Sequence, residues 1–142
     1  MLIGLYSERA RQFIVEMRQE INKLDAGSTD QAMKLFRTSI IASDLEHHNR
    51  VSNSTDFYSL STFRDLLFHA QEHRFTIPQL KKCMDELGLK FCGFEDASVV
   101  QKFRLSNIGS DDPYDLDKWQ IYEEVNPRTF LGMYQFWCQK VQ

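Results

Sequence analysis

The chain has 142 residues, 42% apolar and 26% charged, with 11 Phe to fill an interior, which suits one domain with a real core and excludes extensive disorder. A net charge of −3 without any Lys/Arg cluster excludes the basic stripe of a nucleic-acid binder. Cys83, Cys92 and Cys138 form no C-x-x-C pair, and there is neither an apolar run near the roughly 20 residues of a membrane span nor a signal peptide, so a cytoplasmic protein without disulfides, cysteine zinc site or membrane segment is expected.

The first elements are short and apolar. Leu2, Ile3, Leu5 and Tyr6 read as a buried strand. Residues 8–24 carry a helical pattern through Phe13, Met17, Ile21 and Leu24, stopped by Asp25-Ala26-Gly27. Ser28 or Thr29 then caps a second helix whose inner face is Met33, Phe36, Ile40 and Ile41. The polar segment 44–56 has no period and is expected to be a surface loop. His47 and His48 lie in it without helical context, so no metal site is expected there.

A third helix is expected over 61–73. Thr76-Ile77-Pro78-Gln79 is a capping box with Pro78 in the first turn, opening a helix that turns Leu80, Cys83, Met84 and Leu87 inward, with Gly88 as a left-handed terminator. A strand over 89–95, a soft helix over 98–104 and a loop at 109–113 follow. Residues 115–125 are helical, with Leu116, Trp119 and either Tyr122 or Glu123 facing in. The tail 133–140 fits a helix or a strand by pattern alone.

The chemistry concentrates in the third helix. At helical spacing Asp65, His69, Glu72 and His73 share a strip beside the apolar face of Phe63, Leu66, Leu67 and Ala70. His69-x-x-Glu72-His73 matches a zinc-hydrolase spacing in which two His bind the ion, Glu activates water and a third ligand comes from elsewhere, with Glu123 or Glu124 as candidates. Alternatively the strip does proton chemistry, with Asp65 orienting His69. The plain structural alternative is a row of solvated charges on a helix border. Tyr6, Ser7 and Glu8 follow a strand end, where open α/β sheets place ligands, though they could equally cap the next helix.

Ile3-Gly4-Leu5-Tyr6-Ser7-Glu8, Asp65-Leu66-Leu67-Phe68-His69, Glu72-His73-Arg74-Phe75-Thr76, Leu87-Gly88-Leu89, Gly93-Phe94-Glu95, Asn126-Pro127 and Gly132-Met133-Tyr134-Gln135-Phe136-Trp137 together resemble the C-terminal part of a bacterial family of S-adenosylmethionine-dependent methyltransferases, often fused to tetratricopeptide repeats. The resemblance is weakest over 27–55. It implies that the strands at 2–7, 89–95 and 133–140 are the fifth, sixth and seventh of a Rossmann-like sheet, the last antiparallel between the other two. The expected fold is therefore α+β, mostly helical, with a three-stranded mixed sheet and a helical insertion over about 8–75 in a single incomplete domain. The first strand would keep an open edge.

The family's glycine-rich cofactor turn has no counterpart here, because the six glycines are isolated. The resemblance thus implies a portion that holds no cofactor alone, S-adenosylmethionine belonging to the full-length family. Catalytic roles are expected for His69, His73 and Glu72, and acceptor binding for Tyr6, Ser7, Glu8 and Asp65, with no metal ligands. Partners would be a second copy or an upstream methyltransferase half. The rival is a non-enzymatic interaction module, homodimeric or bound to another protein.

Overall fold

A computed structural model describes residues 1–25, 27–68, 71–106 and 112–141. The chain divides into two compact units, one formed by Met1–Arg11 with His73–Gln142 and the other by Gln12–Glu72. The described residues form an α+β protein with seven α-helices and a four-stranded mixed sheet. None of these helices is long and apolar enough to cross a membrane.

The sheet unit contains β1 (Leu2–Ser7), β2 (Arg74–Phe75), α5 (Ile77–Glu86), β3 (Leu89–Phe94), α6 (Ala97–Arg104), α7 (Leu116–Val125) and β4 (Tyr134–Lys140). The strand order is β2-β1-β4-β3. β4 runs antiparallel to both β1 and β3, as expected for the tail, while β2 adds a parallel fourth strand that the sequence reading lacked. With two residues, β2 is too short to show a period.

The first strand's edge is accordingly only partly open, since β2 pairs with Tyr6 and Ser7 alone. Met1 and Cys138 exchange both backbone hydrogen bonds, at 2.8 and 2.9 Å. Because such pairs alternate, Ile3 and Leu5 also bond toward β4, and the N–H and C=O groups of Leu2 and Gly4 point the other way. Among the described residues no strand pairs with 2–5 on that side.

One face of the sheet is covered. Tyr134, Phe136 and Cys138 of β4 are buried with Phe91 and Phe94 against Leu80, Met84, Trp119 and Phe103. Phe103 stacks on Trp119 with centroids 3.9 Å apart, worth roughly 0.5–1.5 kcal/mol beyond the area buried. Gly93, at φ +107°, sits in the β-bulge between Phe91 and Phe94, a conformation that L side chains rarely adopt. The expected capping box is present: Gln79 N–H donates to Thr76 Oγ1 and Thr76 N–H to Gln79 Oε1. Gly88 takes φ +62°. Cys83 and Leu87, expected inside, are exposed, because Ile77, Leu80 and Met84 already fill the inner face.

The helical unit comprises α1 (Gln12–Lys23), α2 (Asp30–Ile41), α3 (Glu46–Ser52), a 3₁₀ turn (Thr55–Phe57) and α4 (Leu60–Leu67). Ile14, Met17 and Ile21 of α1 meet Met33, Phe36 and Ile40 of α2 and Phe63, Leu66 and Leu67 of α4 in one core. Leu24 and Ile41 lie outside it, exposed at the helix ends. Asp25 takes φ +48° just after α1, the left-handed residue that ends the helix.

Two expectations are corrected here. The segment 44–56 is no loop: α3 forms and buries His48 and Val51. Its inner face holds a histidine, which an apolar-period reading passes over. The third expected helix ends at Leu67, not 73, with Phe68 as its C-cap. Arg18 of α1 donates from Nη2 to the Leu66 carbonyl at 2.9 Å, satisfying one terminal acceptor. The Phe68 ring turns against Phe36 and Phe63.

Candidate functional site

The strip expected along one helix is not carried by a helix. Asp65 is exposed on α4, and Glu72 follows in irregular chain. Glu72 Oε2 lies 3.4 Å from Arg18 Nη2, the guanidinium that also caps α4, so this carboxylate belongs to the packing of the helical unit. His73 is exposed in the sheet unit, and His69 lies outside the described residues. A two-histidine zinc motif needs its ligands one turn apart on a helix, and His73 stands in irregular chain beyond the end of α4.

The residues after β1 lie in a connected polar cluster. Ser7 Oγ donates to Glu123 Oε1 at 2.6 Å and accepts from the Ala10 N–H at 3.0 Å. Tyr134 of β4 donates its hydroxyl to the same carboxylate, 2.8 Å from each oxygen. Glu123 projects from the inner face of α7 and is 3% exposed. Burial pushes its pKa above the usual carboxylate range, against the opposing hydrogen bonds from Ser7 and Tyr134. The Tyr134 hydroxyl is also pushed up, by burial and then by the Glu123 charge. Ser7 and Tyr134 are fully buried. The arrangement joins the end of β1 to α7 and β4, with the Ser7 hydroxyl buried and engaged by Glu123.

Tyr6 and Glu8 have local partners too. The Arg11 guanidinium lies 4.4 Å from the Tyr6 ring centroid, and Arg74 Nε donates to Glu8 Oε2 at 2.9 Å, tying β2 to β1.

A second cluster forms inside the helical unit. Glu20 of α1 meets His47 and His48 of α3, with Glu20 Oε2 2.6 Å from His48 Nε2 and 3.3 Å from His47 Nε2. His47 Nδ1 is 3.6 Å from Glu16 Oε2. Burial raises the Glu20 pKa, but the hydrogen bonds with His48 and His47 outweigh it and hold the carboxyl below its ordinary value.

The sequence singles out Ser7 as a ligand candidate and offers Glu123 as one of two inward positions on α7; the structure buries both in one cluster. No local signal joins Glu20 to His47 and His48, because they sit on separate helices.

No protein-family model matches this chain, and no curated protein gives a significant match.

Proposed function

We propose that the chain is the C-terminal, acceptor-side portion of an S-adenosylmethionine-dependent methyltransferase acting in the cytoplasm, and that it is not catalytically competent alone. The observation that carries this reading is the strand order, with the C-terminal β4 antiparallel between β1 and β3, the arrangement that the sequence resemblance implies for a Rossmann-like methyltransferase. A shared fold is an analogy and leaves the chemistry to be tested. In such enzymes the sulfonium supplies the activated methyl group, so the acceptor side orients the nucleophile and removes its proton. Exposed His73, with His69 of the same segment, is the candidate base, and Asp65, Tyr6 and Glu8 are candidates for holding the acceptor. Ser7 and Glu72 take positioning roles through Glu123 and Arg18.

Cofactor binding falls to an upstream half, because this sequence holds no G-x-G turn. Calorimetric titration of the chain alone with S-adenosylmethionine should show no binding. Adding the product of the reading frame immediately 5′ of the Met1 codon should restore both binding and methyl transfer. A one-to-one complex with the chain alone, at a Kd on the order of 10 μM or below, overturns the division of labour. An upstream frame without a cofactor motif overturns the methyltransferase reading.

The backbone groups of Leu2 and Gly4, which pair with no strand among the described residues, favour a second reading, an interaction module that dimerises or takes a partner strand. Leu2 and its cross-strand neighbour Trp137 are 47% and 45% exposed. Leu2→Lys should then shift the sedimentation equilibrium toward monomer. Ile3 is unsuited to this test, since it packs against the sheet core.

A further inference from the structure

We infer that Glu20, His47 and His48 form a binding site for a divalent transition-metal ion of the zinc type, held between α1 and α3 of the helical unit. The three side chains offer ligand atoms that all lie within 4.8 Å of one another. A tetrahedral zinc with bonds of about 2.0–2.2 Å separates neighbouring ligands by roughly 3.3 Å. His47 Nε2 already stands 3.3 Å from Glu20 Oε2, and His48 Nε2 at 2.6 Å has only to withdraw slightly. Both rings converge on one carboxylate oxygen although they are adjacent in sequence, their planes crossing at 73° with centroids 4.5 Å apart.

The donor set selects the ion. Two imidazoles and one carboxylate suit Zn²⁺, Co²⁺ or Ni²⁺, whereas Mg²⁺ and Ca²⁺ require mostly oxygen. Three protein ligands leave a fourth position for water, the pattern of an open zinc site rather than a closed structural one.

The surroundings fix one ring and leave the other unsupported. Glu16, one turn before Glu20, stands 3.6 Å from His47 Nδ1. A proton held on that nitrogen leaves the Nε2 lone pair for the ion, the role an outer carboxylate plays at many zinc sites. His48 Nδ1 is buried and has no hydrogen-bond partner among the described residues. Missing outer support of this kind weakens affinity by about 10- to 100-fold, so micromolar rather than nanomolar binding is expected. The site lies wholly within the helical unit and is independent of the methyltransferase reading.

The test is to titrate metal-free full-length chain with Zn²⁺ against a chromophoric chelator, and with Co²⁺ by absorption. One equivalent should bind with a Kd on the order of 10 μM. Co²⁺ should give a spectrum of nitrogen and oxygen ligation, and excess Mg²⁺ should not compete. His47→Ala and Glu20→Gln, each checked for folding by circular dichroism, should weaken Zn²⁺ binding at least about tenfold, while Cys83→Ser leaves it unchanged. The proposal is overturned if the folded parent binds no Zn²⁺, or if binding survives both substitutions. A thiolate charge-transfer band with Co²⁺ overturns it too, and that readout needs no variant.

Discussion

The sheet unit and the helical unit each set a carboxylate among hydrogen-bonding side chains, and they treat it in opposite ways. In the sheet unit Glu123 is sealed in, its oxygens taken by Ser7 and Tyr134. In the helical unit the Glu20 side chain keeps 30% of its surface in water and that of His47 21%, while His48 is buried with one nitrogen unpaired among the described residues. A sealed and satisfied cluster contributes uniqueness to a fold and offers nothing to a ligand. A cluster that reaches solvent with ligand atoms converging on one point can still exchange its protons for a metal ion, which is why the metal site is assigned to α1 and α3 and not to the end of β1.

The two clusters should differ most in stability. Glu123→Ala strands two buried hydroxyl donors and leaves a cavity, and should cost about 3 kcal/mol or more. Tyr134→Phe removes one donor and should cost roughly 1–3 kcal/mol. His47→Ala in the metal-free chain should cost no more than about 1 kcal/mol, because its ion pairs reach solvent. Urea unfolding can separate the units: Trp119 and Trp137, the only two tryptophans, both belong to the sheet unit. Their fluorescence follows that unit, while amide exchange read at residues of α1 to α4 follows the helical one. Equal losses at Glu123 and His47 would mean that burial does not distinguish the clusters.

Acid titration sharpens the same contrast through opposite slopes. The folded pKa of Glu123 is raised, so the folded state holds this proton more tightly than the unfolded chain, and stability falls as pH rises from about the ordinary value of 4.5 through the raised one. The folded pKa of Glu20 is lowered, so its stabilisation is present above 4.5 and is lost as pH falls through the lowered value. Glu123→Gln should therefore flatten the decline seen by tryptophan fluorescence above pH 4.5, and Glu20→Gln should flatten the acid-side loss seen by amide exchange. The same slope change in both variants, or none in either, would remove the distinction.

What was legible in the sequence follows the range of the interaction. The Thr76–Gln79 capping box and the Gly88 terminator act within a few residues, and both are where the sequence puts them. The antiparallel tail was decided by resemblance, since Tyr134, Phe136 and Cys138 alternate inward at a period that the aromatic density of the segment obscures. α3 was missed because one inward position is His48, whose partner Glu20 is 28 residues away. The early end of α4 was missed for a related reason: Leu66 and Leu67 continue a helical period, and the group that caps the turn, Arg18, comes from another helix. Local patterns show where an element begins, and they do not show which distant side chain ends it.

The smallest expected effect concerns His73. Were it continuous with Asp65 and His69 on one helix, its ring would have neighbours one turn away and its removal would disturb a charge row. Because α4 stops at Leu67 and His73 is exposed, His73→Ala should change stability by no more than about 0.5 kcal/mol, a shift of roughly 1–3 °C in Tm. If His73 is nonetheless the acceptor-side base, that silence in stability is what frees it for the work. In the reconstitution with the proposed upstream half, methyl transfer should then fall at least about a hundredfold in the same variant, with Tm unmoved. A large loss of stability would instead give His73 a structural role and count against the proposed base.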